Sequence, residues 1–411
     1  MGNTKVQLSA MGDDGKPVDW WFIYKIAGKS AAINGKKPKG SEYLYYDSSG
    51  PTDKDLDLSK NQITDPKNGA VSNTLNQIYN NLSDPDMGWY FYNDEDPISG
   101  KTNGIRGHTK GVICFNLKTN AAFWLIHSAP KFPLRGKYSF PATAMKMAQT
   151  FLCITLKNAD TATAIAAQQY VAQQPNVYLA SKVPAALKAT DPRALLINNK
   201  ITPAKTAYAK FIPFQTKKGQ TFKSFAKNKF WDTKGDDDFY NDLVGPALAE
   251  TLDVETWTHG PTPGSSDFGD KVHTIQEMKT VNIGPLGIKP PWEWSEENDH
   301  AKLAVSAANE KLRFICVGDI NFTKTMESRS GGTTAFICDD LVKDLDKMLS
   351  DVTLRTSNPR SVSQKKVTKV KKAPAKKAVK KKAPVKKIVA KKSKAANLFQ
   401  PKAKPELSTK V

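Results

Sequence analysis

The sequence predicts an α/β fold: two mixed-sheet half-domains flanked by helices, followed by a disordered basic tail. Three observations predict it. Strand-like apolar runs occur in both halves of the 411 residues, with helical stretches between them. A short motif and the strand pattern around it return later in the chain, which is the mark of an internal repeat. After residue 352 the composition turns to Lys, Ala and Pro. The expected boundaries are therefore 1–200, 201–352 and 353–411.

A hydrophobic content of 39%, with eight Trp and eighteen Phe, is enough for a sizeable core. WWFIYKI (20–26) is aromatic and β-branched, and reads as a buried strand. VICFNL (112–117) and FWLIHS (123–128), separated by a polar turn in KTNAA, read as an antiparallel hairpin. Asp160 is the expected N-cap of TATAIAAQQYVAQQ, and Pro175 its stop. In DDLVKDLDKMLSDV (339–352), Leu341, Leu345, Met348 and Leu349 fall on one helical stripe, which predicts the last packed helix.

The net charge of +21 is unevenly spread. Residues 365–411 hold 18 Lys and one Glu, or +17, which leaves +4 for the rest. Blocks such as KKAPAKKAVKKKAPVKK cannot bury enough apolar area to offset chain entropy, so this tail is expected to be disordered alone. Lys371, Lys372, Lys376, Lys377, Lys380, Lys381, Lys382, Lys386 and Lys387 are its expected contacts to a polyanion, gained by counterion release. No run of about 18 apolar residues suggests a membrane partner. The first residues lack the apolar segment of a secretory signal, so a nuclear, cytoplasmic or nucleoid location is expected over a lysosomal one. Cys114, Cys153, Cys316 and Cys338 show no zinc-binding spacing, and no disulfide is needed at this size.

GHTKGVICF (107–115) carries His108 and Lys110 two apart at the start of a strand, a spacing that puts both side chains on one face. DHAKLAVS (299–306) repeats the His-x-Lys pair as His300 and Lys302, 192 positions on, and FICVGD follows it as FWLIHS follows the first. At that offset His127 falls on Asp319. Two imidazoles and two ammonium groups suit a phosphodiester. One ring attacks phosphorus, the other protonates the leaving oxygen, and the lysines hold the non-bridging oxygens. No metal or cofactor is called for. His259 and His273 read as solvent-facing, and the acids at 236–238 as a solvated loop.

GKPVDWWFIYK, YLYYDSS, GHTKGVICF, FWLIHSAPKFP, QTFLCITL, DHAKLAVS, CVGDIN and SGGTT together resemble the deoxyribonuclease II family, a branch of the phospholipase D superfamily, over most of residues 10–340. The resemblance implies a phospholipase D-like pseudodimer and a metal-independent endonuclease that cuts double-stranded DNA, leaves 3′-phosphate ends and works in acid. It carries catalytic roles to His300, His108, Lys110, Lys302 and His127, with His300 the leading nucleophile and His108 its opposing partner. Secondary polar roles go to Asp319, Asn321, Asn116 and Ser330 to Thr333. Two departures stand out. Asn116 occupies a position where the family usually has Asp, and Ala10 and Met11 stand where secreted relatives have the Cys that would pair with Cys153. A rival reading is a weakened nuclease fold serving as a linker-histone-like DNA binder. A phospholipase D-type lipase fits the lysine tail poorly, and a homodimer is left open.

Overall fold

The computed structural model describes residues 7–50, 54–232, 237–257 and 274–350. His259, His273, Asp236 and the whole tail, including Lys371, Lys372, Lys376, Lys377, Lys380, Lys381, Lys382, Lys386 and Lys387, lie outside the described residues.

Two large sheets dominate. Strands β1 (Trp20–Lys25), β2 (Tyr43–Asp47), β3 (Asp57–Leu58), β4 (Met87–Asn93), β5 (Lys110–Asn116), β6 (Ala121–His127), β7 (Gln149–Leu156) and β8 (Val177–Ala180) form the first, in the order β8-β4-β5-β6-β7-β1-β2-β3. Strands β9 (Ala209–Gln215), β10 (Thr221–Lys227), β11 (Leu252–Thr256), β12 (Ile275–Glu277), β13 (Lys302–Ser306), β14 (Phe314–Gly318) and β15 (Gly331–Ile337) form the second, in the order β12-β11-β13-β14-β15-β10-β9. Laid side by side, the two orders place β5 and β13, the two His-x-Lys strands, third in each, and the first sheet has one strand more, β3. Chain order agrees for the four central strands β4-β5-β6-β7 and β11-β13-β14-β15, but β1 and β2 are exchanged relative to β10 and β9, and β12 comes before β13 whereas β8 follows β7.

The first sheet is antiparallel throughout, so the expected mixed sheet is found only in the second, through the parallel pair β11 and β12. Period-two alternation explains the layering. In β5, Ile113 and Phe115 enter a central apolar cluster that also holds Leu303, Val305, Ile315 and Val317 of the second sheet. Val112 and Cys114 face the other way, into a cluster closed by α1 (Ala70–Tyr79). The central strands of each sheet are thus buried on both faces, which is why they read as continuous apolar runs, while the edge strand β9 is largely exposed.

Local expectations were corrected at two helices. Asn158, not Asp160, caps α2 (Ala159–Gln168), accepting the Thr161 N–H at 2.9 Å. The helix then widens through Gln169–Gln173 and ends at Gln174, whose φ of 48° is left-handed. Helix α3 (Asp339–Met348) buries Leu341, Leu345 and Met348 but stops there, and Leu349 pairs with Val281 instead. Asp238 is also not in a solvated loop: it is buried and accepts the Tyr240 and Asn241 amides. All four cysteines are free. Among the described residues no helix is long and apolar enough to cross a membrane.

Candidate active site

Gly107 delivers the first motif. A Cβ there would lie 1.9 Å from the Gln173 carbonyl oxygen, so only glycine lets the chain pass. The next amide, of His108, donates to the Ser330 carbonyl at 2.8 Å, which fixes the backbone before β5 begins. The His108 ring Nδ1 is 2.6 Å from the Asp319 carbonyl oxygen. A carbonyl only accepts, so Nδ1 carries the proton and Nε2 keeps its lone pair. Burial first, then the Lys110 charge, brings the ring's pKa down to about 3.

Asp94, one residue past β4, collects the cations. It accepts from Lys110 Nζ, accepts from Arg329 at 3.2 Å, and has an oxygen 4.0 Å from His108 Nε2. Burial would raise this carboxyl, but Lys110, His108 and Arg329 outweigh it and hold it well below the ordinary range. Asp319 differs. Its side chain accepts the Lys110 backbone N–H at 3.1 Å, and burial pushes it up to about 8. Asn321, Ser330 and Thr333 are buried on the same elements, and Asn321 Oδ1 and Thr333 Oγ1 have no hydrogen-bond partner.

The second motif is held from behind. Asp299 is buried and accepts from Tyr24, from Trp294 Nε1 at 2.7 Å and from the Ala301 N–H at 2.7 Å. That fixes the residue before His300, whose own N–H donates to Ala148 of the first sheet's β7 approach at 3.0 Å. The His300 ring, half-buried, lies against Trp257 with centroids 4.6 Å apart. Lys302 is buried and donates Nζ to the His300 carbonyl at 2.6 Å. Burial, and next the Lys110 charge, lowers its pKa to about 7. Lys302 in turn is among the charges that depress His108. The two motifs therefore share one electrostatic neighbourhood.

His127 ends β6, one step beyond the Gly111–Ile126 pair and so opposite Lys110. Its fully buried ring stacks on Phe151 and meets Phe132 edge-on. Burial brings it to about 3, with Lys110 pushing the same way and the Ala129 backbone weakly opposing. The expected match of His127 to Asp319 is off by one. Gly111 pairs with Ile126, 15 residues on, whereas Leu303 pairs with Val317, 14 residues on. The second hairpin is one residue tighter, so Gly318 occupies the His127 position, and its Cβ would meet the Gly332 carbonyl at 2.3 Å.

Asn116 is not brought to the others. It sits at the opposite end of β5, about 20 Å along the strand from Lys110. There it donates to Asp84 at 2.9 Å and accepts the Lys118 and Thr119 amides, closing the hairpin turn. Sequence reasoning missed Asp94, Arg329, Asp299 and Trp257. One signal existed for Asp94: β4 and β5 are consecutive antiparallel strands, and Asn93 pairs with Lys110, which puts the following acid at the motif.

A family model described as Deoxyribonuclease II matches residues 9–354. The chain is 38% identical over 345 residues to a Burkholderia pseudomallei protein named deoxyribonuclease-2, covering 83% of this chain and 92% of that one. It is 32% identical over 340 residues to rat deoxyribonuclease-2-alpha, covering 79% and 88%. It is 30% identical over 344 residues to cell-death-related nuclease 7 of Caenorhabditis elegans, covering 80% and 83%.

Proposed function

The chain belongs to the deoxyribonuclease II family, and from that premise we propose that it hydrolyses double-stranded DNA without a resident metal ion, leaving 3′-phosphate ends. The observation that carries this reading is the shared neighbourhood of two His-x-Lys pairs, each on the same strand of two like-ordered sheets. The matching strand orders support a pseudodimer with half-domains at 1–200 and 201–352.

His108 suits the attacking role better than His300, reversing the expected lead. Its tautomer is fixed by the Asp319 carbonyl, and the ring stays neutral above about pH 3. In the first step Nε2 bonds to phosphorus, the P–O5′ bond breaks, and the His300 proton goes to the 5′ oxygen. Water then attacks the phosphohistidine, giving its proton to His300 and releasing the 3′-phosphate. Lys110, Lys302 and Arg329 supply positive charge for the non-bridging oxygens. Asp319, pushed up to about 8, is neutral in acid and spares the phosphate a nearby negative charge.

An acidic range is part of this proposal, because the His108 pKa, brought down to about 3, leaves that ring unprotonated through most of it. The tail, in this reading, adds sequence-independent affinity for DNA. The DNA-binding reading without catalysis is not favoured, since both pairs are complete and mutually placed. Plasmid nicking in EDTA across about pH 3 to 8 is the test. A bell-shaped rate centred in acid is expected, and no cleavage at any pH would overturn the reading.

A further inference from the structure

The two most exposed of the exposed large hydrophobic side chains, Ile105 at 82% and Ile98 at 58%, stand on one loop, residues 95–107. A single exposed isoleucine needs no explanation, but these two do. The loop runs from Asp94 to His108, so its two ends are site residues. It is also well fastened. Glu95 pairs with Thr102, the Asp96 amide donates to the Lys101 carbonyl at 3.0 Å, and the Gly100 amide to the Asp96 carbonyl at 2.8 Å. Asn103 Oδ1 accepts the amides of Ile105 and Arg106, both at 3.2 Å, and Arg329 donates to the Arg106 carbonyl at 3.2 Å. Such a frame fixes the backbone that presents Ile105 to water, rather than letting the loop fold it away.

Cations flank the apolar tip: Lys101 is exposed and Arg106 half-exposed. The loop's two acids, Glu95 and Asp96, lie half-buried at its start, where Asp96 turns an oxygen to the Ile98 amide at 2.7 Å, and Asp94 just before it is paired with Lys110 and Arg329. Apolar side chains beside Lys and Arg, fixed next to a phosphodiester site, have the chemistry of a wedge that enters the minor groove and parts a base step.

We propose that Ile105, supported by Ile98 and by the charges of Lys101 and Arg106, is inserted into duplex DNA next to the bond to be cut. This rests on the nuclease reading for its biological purpose, but not for its physical test. Unstacking bends the duplex toward the strand-bearing face and brings one phosphate between the two histidines. Flexible pyrimidine–purine steps open most cheaply, so cutting is enriched at TA and CA.

The test uses full-length protein carrying His108→Ala, which separates binding from cutting, and a duplex with 2-aminopurine at a TA step. Binding is expected to raise the fluorescence. Adding Ile105→Ser should remove that rise and weaken binding about tenfold, while Ile105→Phe should keep both. An undiminished rise and affinity in the serine variant would overturn the proposal. So would a dimer of the His108→Ala protein that Ile105→Ser turns to monomer with DNA binding intact, since the tip would then cover a second copy. Failure of plasmid nicking by the unaltered chain would sink the nuclease reading and leave the fluorescence result standing.

Discussion

At the first motif the imidazole is tied through Nδ1 to the Asp319 carbonyl and its lysine to the Asp94 carboxylate. At the second, the ring lies on Trp257 and the lysine turns back to its own histidine's carbonyl. The three-residue pattern and the strand position are the same, and the neighbours come from matching places but differ in kind. Asn93 pairs with Lys110 and Thr256 with Lys302, so Asp94 after β4 corresponds to Trp257 after β11, and an aromatic ring stands where the first motif has a carboxylate. The two half-buried rings thus sit in different settings: at the first motif desolvation and the Lys110 charge bring the imidazole's pKa down to about 3, and at the second it is the lysine whose pKa is lowered, to about 7. The same three-residue pattern is held in two different electrostatic surroundings.

Replacing the two histidines breaks this comparison most severely. His108→Ala and His300→Ala are each expected to lower kcat by about 10⁴-fold or more. They should fail differently. With DNA labelled next to the 3′ phosphate, His300→Ala should accumulate an acid-labile protein adduct on activated leaving groups, and His108→Ala should form none. The opposite pattern would exchange the two roles.

Asp94→Asn should reduce the first motif to the state of the second. Removing one partner of a buried pair costs about 3–5 kcal/mol, read as a shift in the denaturant midpoint. The loosened Lys110 and Arg329 should lower kcat by about 10–100-fold, as loss of an orienting partner does elsewhere. Unchanged kinetics with unchanged stability would remove Asp94 from the site.

Asn116→Asp gives the smallest effect. It restores the residue usual in the family, but it sets a carboxylate against Asp84 at the far end of β5. A loss of about 1 kcal/mol in stability is expected, with the nicking rate unchanged within about twofold. A clear gain in rate would mean that this end of the strand reaches the chemistry after all.

Much of this was legible in the residues themselves. The hairpin around GHTKGVICF, the paired His-x-Lys strands and the family resemblance all appear in linear order, because strand periodicity and a repeated segment are properties of neighbours in the chain. The capping of α2 was misread, since Asn158 and Asp160 are both acceptable caps and only the packing of Ala159 and Ala162 selects between them. Asn116 lies six residues beyond Lys110 on the same strand, which sets it about 20 Å away at the hairpin turn.

What the sequence determined by itself is the two His-x-Lys pairs and the strands that begin at their lysines. What tertiary structure decided is their electrostatic setting: which imidazole has its pKa brought down, which lysine is paired with a carboxylate, and which aspartate is raised or lowered. Those depend on burial and on charges within a few ångströms, set by residues about 15 to over 200 positions away. Coulomb's law acts through space, and the order of the chain does not record that distance.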